Sequence, residues 1–311
     1  MEPSYPFKPI GSLRALSATL GITEAELLAL KERSDSCFYI TNKLKKPDGS
    51  VRLTYDVKDE LKVIHERISS ALLKKVKYPD YLHGSLKGKD YLSNCKQHLG
   101  KKFIISEDAT NFFPSISKKI VHEVWVGVFG FSNEVARCLA ELVTFDGALV
   151  QGAKPSSYIS NLVLWKREAD LVSKFEKLRY GYTRYVDDIT ISSAYNLSKK
   201  EQHSIIAQVY GMLKTIGVSP NRSKHKTMPN GKNQSVHRVN VNTLSPTLPK
   251  AKRANIRAAV HSCEKLHATS PQSSEYKTLF SQTMGKVNNM ARMHVVEGLK
   301  LRKRLNRVKP S

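Results

Sequence analysis

The sequence predicts an α+β fold, on three observations. Long stretches repeat apolar residues at helical spacing, as in Leu61, Ile64, Ile68 and Leu72. Short runs rich in β-branched and aromatic residues, Phe103-Ile-Ile105 among them, separate those stretches. Two segments, 45–55 and 181–192, read as strand–turn–strand hairpins, which join antiparallel neighbours.

In chain order, residues 12–32 read as two short helices. Thr23-Glu-Ala-Glu26 forms a capping box ahead of Leu27, Leu28 and Leu30. Phe38-Tyr-Ile opens a strand, and Lys45 to Tyr55 reads as a hairpin turning at Pro47-Asp48-Gly49. A helix is expected from about Asp59 to Lys77, and the strand Phe103-Ile-Ile105 delivers Asp108. Helical patterns fill 117–145 and 157–177. Gln202 to Ile216 is a further helix, with Gly217 as its C-cap. Val236 to Val241 alternates as a strand does, and Leu244-Ser-Pro-Thr-Leu-Pro249 reads as a hinge. Two helical segments, about 250–266 and 273–305, lead into a basic tail.

Composition narrows the function classes. With 51 Lys+Arg against 27 Asp+Glu in 311 residues, the net charge of +24 points to a polyanionic partner, and nucleic acid is the commonest. No apolar run is long enough to span a bilayer, and no basic amphipathic helix with exposed aromatics suggests a membrane surface. The first residues lack the pattern of a signal peptide. Cys37, Cys95, Cys138 and Cys263 are scattered without a Cys-x-x-Cys pair, so free thiols in a reducing cytoplasm are expected.

The chemistry concentrates at Tyr185-Val186-Asp187-Asp188. Apolar and β-branched residues flank the acidic pair, which places both carboxylates at the tip of a hairpin. An isolated Asp-Asp turn is usually just solvated, so the pair needs partners. Asp108, at the end of its own strand, supplies a third carboxylate, although alone it would read as a cap before Phe112-Phe113. Three such groups suit hard divalent cations. Two ions about 4 Å apart can activate an attacking hydroxyl and stabilise the leaving oxygens of an in-line displacement.

The order Asp108-x-x-x-Phe-Phe-Pro-Ser, then Gln151-Gly-Ala, then Tyr-x-Asp-Asp resembles a reverse transcriptase palm, and more narrowly that of bacterial retron-type enzymes. His83-Gly-Ser-Leu-Lys-Gly-Lys followed by Asn94-Cys-Lys-Gln-His98 resembles the retron-associated Asn-Ala-x-x-His element. The resemblance implies a right-hand polymerase. It divides the chain into an N-terminal helical segment (1–35), fingers (36–100 with 117–150), palm (101–116 and 151–243) and a helical thumb with basic tail (244–311). It implies that Asp108, Asp187 and Asp188 bind two Mg²⁺ ions, with Mn²⁺ as substitute. Arg52, Lys45, Phe113, Gln151 and Gly152 then meet the incoming nucleotide, Phe113 as the aromatic gate against a 2′-OH. Tyr185, Asn161, Lys154, Lys224, Arg238, Arg302, Lys303 and Arg304 are the expected nucleic-acid contacts.

The resemblance further implies RNA-templated DNA synthesis from dNTPs on a cognate structured non-coding RNA of the msr–msd type. Priming from a guanosine 2′-OH gives branched RNA–DNA (msDNA), in anti-phage defence with an effector protein encoded nearby. A group II intron enzyme is expected to carry maturase or endonuclease regions for which this length leaves no room. The alternatives are an abortive-infection type or other bacterial polymerase of this kind, and an inert RNA-binding scaffold. Two departures stand out. Gln151-Gly-Ala-Lys-Pro displaces the family's proline and introduces Lys154, and Val236-His-Arg238 stands where the family shows Val-Thr-Gly. Asn221 to Lys224 matches the family's Asn-x-x-Lys, with Lys226 as rival.

Overall fold

In a computed structural model, residues 1–45 and 49–310 are described. The turn expected at Pro47-Asp48-Gly49 therefore lies, but for Gly49, outside the described residues. Two compact units emerge, one from residues 1–94 and 103–227 and the other from 95–102 and 228–311.

The first unit begins with α1 (Leu13–Leu20) and α2 (Glu24–Glu32), the second opened by the expected Thr23–Glu26 capping box. An antiparallel hairpin follows, β1 (Phe38–Lys45) paired with β2 (Val51–Val57). The helix expected to reach Lys77 stops earlier, as α3 (Asp59–Ala71) plus a 3₁₀ turn at Leu73–Lys75. After α4 (Tyr91–Lys96) come β3 (Phe103–Asp108) and α5 (Phe112–Ser115). The stretch 117–145 divides into α6 (Lys118–Gly127) and α7 (Asn133–Val143), each with a serine N-cap. Next come α8 (Ser156–Leu162), α9 (Glu168–Lys177), β4 (Tyr180–Tyr185), β5 (Asp188–Ser193) and α10 (Lys199–Lys214).

The sheet that matters for chemistry has the order β4-β5-β3-β6, where β6 (Lys226–Pro229) is the strand in which the chain leaves the first unit. Strand β5 is antiparallel to both neighbours, with Ile105↔Ile191 and Tyr182↔Ile191 in register. Those three side chains belong to the main core. Side chains alternate along a strand. Phe103, Ile105 and Glu107 therefore share the core face, and Asp108 falls on the other face with Asp188. A one-residue slip would turn the aspartates toward the main core and take Phe103, Ile105 and Ile191 away from it, which is why this register is firmly specified.

The second unit holds a short hairpin, β7 (Ser235–Val236) and β8 (Val239–Asn240). It also holds the helices α11 (Lys250–Thr269), α12 (Ser274–Ala291) and α13 (Val295–Arg307). Two sequence expectations are corrected here. Residues 236–241 are not one strand, because His237 (φ 49°) and Arg238 (φ 62°) both turn left-handed and fold the run back on itself. The segment 273–305 is two helices, with Gly298 set so close to Ala291 that a Cβ would lie 2.4 Å from its Cα. Among the described residues, no helix is long and apolar enough to cross a membrane.

Candidate active site

Register brings the carboxylates together. Asp108, last in β3, is the cross-strand partner of Asp188, first in β5. Directly opposed antiparallel residues have Cα atoms about 4.5–5.5 Å apart. Tyr185 pairs with Asp188 from the other side, so Val186 and Asp187 form a two-residue connection. Val186 takes φ +60°, at the turn position usually given to Gly.

The electrostatics are those of crowded negative charge. Burial, reinforced by the charges of Asp188 and Asp108, pushes the Asp187 carboxyl up to about 6. Burial also raises Asp108, with Asp188 adding to the effect and Lys224 opposing it. Lys224 Nζ sits 3.0 Å from both Asp108 carboxylate oxygens, which singles it out from its rival, exposed Lys226. Among the described residues, no group of three or more acidic, histidine or cysteine side chains is gathered tightly enough to hold a metal ion. The expected cradle is thus present as three neighbouring carboxylates but not closed. The physical reason is that like charges repel while the Lys224 ammonium neutralises Asp108. The donor set nevertheless suits a hard divalent cation, being all carboxylate oxygen.

That crowding costs stability. A carboxyl whose folded pKa is raised binds its proton more tightly folded than unfolded, so stability falls as pH rises from about 4 through about 6. Asp187→Asn is therefore expected to stabilise the metal-free protein above pH 6 by on the order of 1–2 kcal/mol. Calorimetry in EDTA checks this: Tm should rise by a few degrees at pH 7.5, the gain vanishing toward pH 4. Equal melting of wild type and variant at pH 7.5 contradicts the crowding.

Three residues absent from the sequence-based expectations support this end of the sheet. Glu107 is buried on the core face, where burial raises its carboxyl against the opposing pull of His225 and Tyr210. His225 Nδ1 lies 2.6 Å from one Glu107 oxygen, and the Tyr210 hydroxyl donates to the other at 3.1 Å. Since His225 follows Lys224, this anchor fixes the segment that carries the ammonium to Asp108. The signal was a lone charge at an apolar position of the β3 alternation, with partners 103 and 118 residues away.

The other expected site residues fall into three groups. Phe113 is half-buried on α5, packed edge-on against Phe112. Gln151 accepts a hydrogen bond from Tyr55 N at 2.8 Å, and Gly152 (φ +114°) lies hard against the same strand. Arg52 and Lys45 are exposed on the β1–β2 hairpin, where Arg52 pairs with Leu44 and Lys45 with Val51. In the second unit Arg238 is exposed at its hairpin tip, and Arg302 and Lys303 are exposed on α13.

Three cations and amides are already committed. Lys154 is ion-paired to Glu66 of α3, which accounts for the cation in the unusual Gln-Gly-Ala-Lys-Pro loop. Arg304 forks onto Glu264 at 2.8 and 2.6 Å, so its guanidinium is held by protein rather than offered to phosphate. Asn161 is buried, and its amide donates to the carbonyls of Gly84 (2.7 Å) and Ser157 (3.1 Å). From there it props the backbone, so the structure finds its side chain turned to the main chain of Gly84 and Ser157 where a nucleic-acid contact was expected.

Comparison with known proteins fits this picture. Residues 44–242 match the family described as reverse transcriptase (RNA-dependent DNA polymerase). The chain is 37% identical to the retron Se72 reverse transcriptase of Salmonella heidelberg over 99% of this chain and 82% of that one. It is 32% identical to the retron Ec48 reverse transcriptase of Escherichia coli over 97% of this chain and 77% of that one. Among solved structures, telomerase from Candida albicans in complex with a fragment of telomeric RNA aligns with 78% of this chain and 51% of its own, at 10% identity and a TM-score of 0.44. An ordered aspartate trio on an antiparallel sheet, a family match over more than half the chain and two relatives above 30% identity lead to one conclusion: the chain belongs to the retron reverse transcriptases, RNA-directed DNA polymerases, and its fold is α+β.

Proposed function

We propose that this enzyme copies a cognate structured non-coding RNA of the msr–msd type into DNA, priming from a guanosine 2′-OH to give branched RNA–DNA. The observation that carries the chemical part is the Asp108↔Asp188 register with Asp187 beside it, three carboxylates crowded at one sheet end, with the proton affinities of Asp108 and Asp187 raised. In this reading residues 101–116 and 151–243 are palm, 36–100 with 117–150 fingers, and 244–311 thumb. Asp108, Asp187 and Asp188 hold two Mg²⁺ ions, which supply activation of the attacking hydroxyl and neutralisation of the triphosphate when bound.

The protein's own groups do the rest. Lys224, released from Asp108, stands where it can give a proton to the leaving pyrophosphate. The Phe113 ring bars a ribose 2′-OH from the nucleotide site, while Arg52 and Lys45 meet the triphosphate as charge-assisted donors. Gln151 and Gly152 line the nucleotide from a loop hydrogen-bonded to β2. The excess of Lys and Arg supports gripping a folded RNA and its DNA copy chiefly through phosphates. Arg238, Arg302 and Lys303, all exposed, are among the cations we expect to contribute. We place the enzyme in the cytoplasm, acting in anti-phage defence with a separate effector protein.

The test is the nucleic acid that co-purifies with the protein. Sequencing should return one structured RNA joined to complementary DNA through a 2′–5′ branch that a debranching enzyme removes. Linear DNA of untemplated sequence would refute the assignment in favour of an abortive-infection type of polymerase.

A further inference from the structure

One ion pair is entirely buried and plays no part in the mechanism above. Arg184 of β4 and Glu168 of α9 are 0% and 2% exposed. All five N–H donors of the guanidinium are in use. Nε and Nη2 donate to the two Glu168 oxygens at 2.5 and 2.7 Å. Nη1 donates to the carbonyls of Ser160 and Val186, both at 3.0 Å, and Nη2 also donates to the carbonyl of Asn161 at 2.9 Å. A guanidinium offers five donors in a rigid planar fork, so this one is saturated. Three of its five bonds hold main chain, two in α8 and one in the Tyr-Val-Asp-Asp turn.

The turn needs holding. Val186 adopts φ +60°, a region that a β-branched residue enters only when its surroundings impose it. Those surroundings are close. A Cβ at Gly84 would lie 2.5 Å from Val186 Cγ2 and 2.8 Å from its backbone N, so no other residue fits there without moving the turn. The Gly84 carbonyl is itself tied down by Asn161. The Gly84 segment is docked on β4 by Arg184 N donating to Tyr81 O and His83 N donating to Arg184 O, both at 2.9 Å. Beyond the β4–β5 ladder that closes it, this turn is thus fastened through Arg184 and through the Gly84 segment that Arg184 and Asn161 hold.

We propose that Arg184, with Glu168 behind it, is a positioning residue for DNA synthesis. Its guanidinium clamps the Val186 carbonyl so that Asp187 and Asp188 project at a fixed place, and it locks that place to the end of α8, the helix following the Gln151-Gly152 loop. The inference rests on reading Asp187 and Asp188 as catalytic. Asp188→Ala is therefore assayed alongside, and DNA synthesis surviving in it would overturn that reading whatever the Arg184 variants do.

Two variants separate positioning from mere packing. Arg184→Lys keeps a cation for Glu168, but a single ammonium cannot also hold three divergent carbonyls. The double variant Arg184→Met with Glu168→Leu removes both charges together, a replacement that buried pairs often tolerate without loss of stability. Thermal melting, RNA affinity, and kcat and KM for dNTP are measured for each. The expected result is folded protein with RNA affinity and KM retained and kcat lower by roughly 10- to 100-fold, the cost of about 1 Å of misplacement at a reacting centre. Wild-type kcat in either folded variant overturns the proposal. So does failure of both variants to fold, or loss of RNA binding in step with kcat, since Arg184 would then be a residue of folding alone.

Discussion

Asp188→Ala is expected to lower DNA synthesis by roughly 10³-fold or more while leaving RNA binding nearly unchanged. The magnitude follows from what the carboxylate would hold. Stabilisation of the triphosphate by a bound cation is worth several kcal/mol, and each 1.36 kcal/mol is a factor of ten in rate. Binding should persist because the residue is one anion in a chain whose net charge is +24, and removing it makes the protein more basic. Asp187→Ala and Asp108→Ala should behave alike, with a difference in stability: Asp187→Ala removes a carboxyl that burial disfavours, and Asp108→Ala relieves part of the repulsion that lifts Asp187. Single-nucleotide extension with the cognate RNA, beside a filter-binding titration, checks all three. Synthesis near the wild-type rate in any of them removes that residue from the metal site.

Gly152→Ala should be the most damaging single methyl added to this protein's polymerase unit near the chemistry. Gly152 has φ +114°, and a Cβ there would lie 2.3 Å from Tyr55 O and 3.1 Å from Tyr55 N. Both neighbours are backbone of β2, fixed by the bond from Tyr55 N to Gln151 O, so neither can turn aside as a side chain would. The conformational cost is about 1–3 kcal/mol and the overlap adds a comparable amount. A loss of about 2–4 kcal/mol of stability is expected, with KM for dNTP rising as the loop is pushed off the strand. Denaturant titration and steady-state kinetics read both effects. An alanine variant as stable as wild type would show that the loop is free to detach.

The part of this site that sequence could announce is the part built from short-range order. Asp187 lies in a two-residue turn that Asp188 closes, and Asp108 ends a strand of its own, so their convergence follows once β3 and β5 pair in register. The family pattern then fixed which acidic pair mattered. What could not be read depends on long-range pairing of charges. Lys224 and Lys226 are indistinguishable by spacing, and only a contact across 116 residues assigns one of them to Asp108. Arg184 and Glu168 look like ordinary surface residues of a strand and a helix until both are found buried on each other. Arg304 likewise reads as one more cation of a basic tail, yet Glu264 occupies it.

The fold shows the same division. The helix with the clearest cap began where expected, α2 at Thr23, whereas α10, capped by Ser198, begins at Lys199, three residues before the expected Gln202. Breaks without proline or glycine were missed. Between α12 and α13 the chain turns at Met293-His294 with no punctuating residue, and His294 Nε2 instead accepts from Leu248 N at 3.0 Å. The β7–β8 hairpin was read as one strand because its tip is His237-Arg238, where Asn-Gly would have announced the turn.

The lysine on Asp108 has a consequence for how the enzyme takes up its ions. An ammonium 3.0 Å from both carboxylate oxygens is a resident counter-ion for Asp108, which leaves the other two carboxylates to carry the excess negative charge of the resting site. In the proposed mechanism a divalent ion held by Asp108 would have to displace this ammonium, so loading would be an exchange of one cation for another at that carboxylate. The exchange would weaken the apparent hold on the incoming ion by whatever the lysine contact is worth, and would leave Lys224 free to act as an acid.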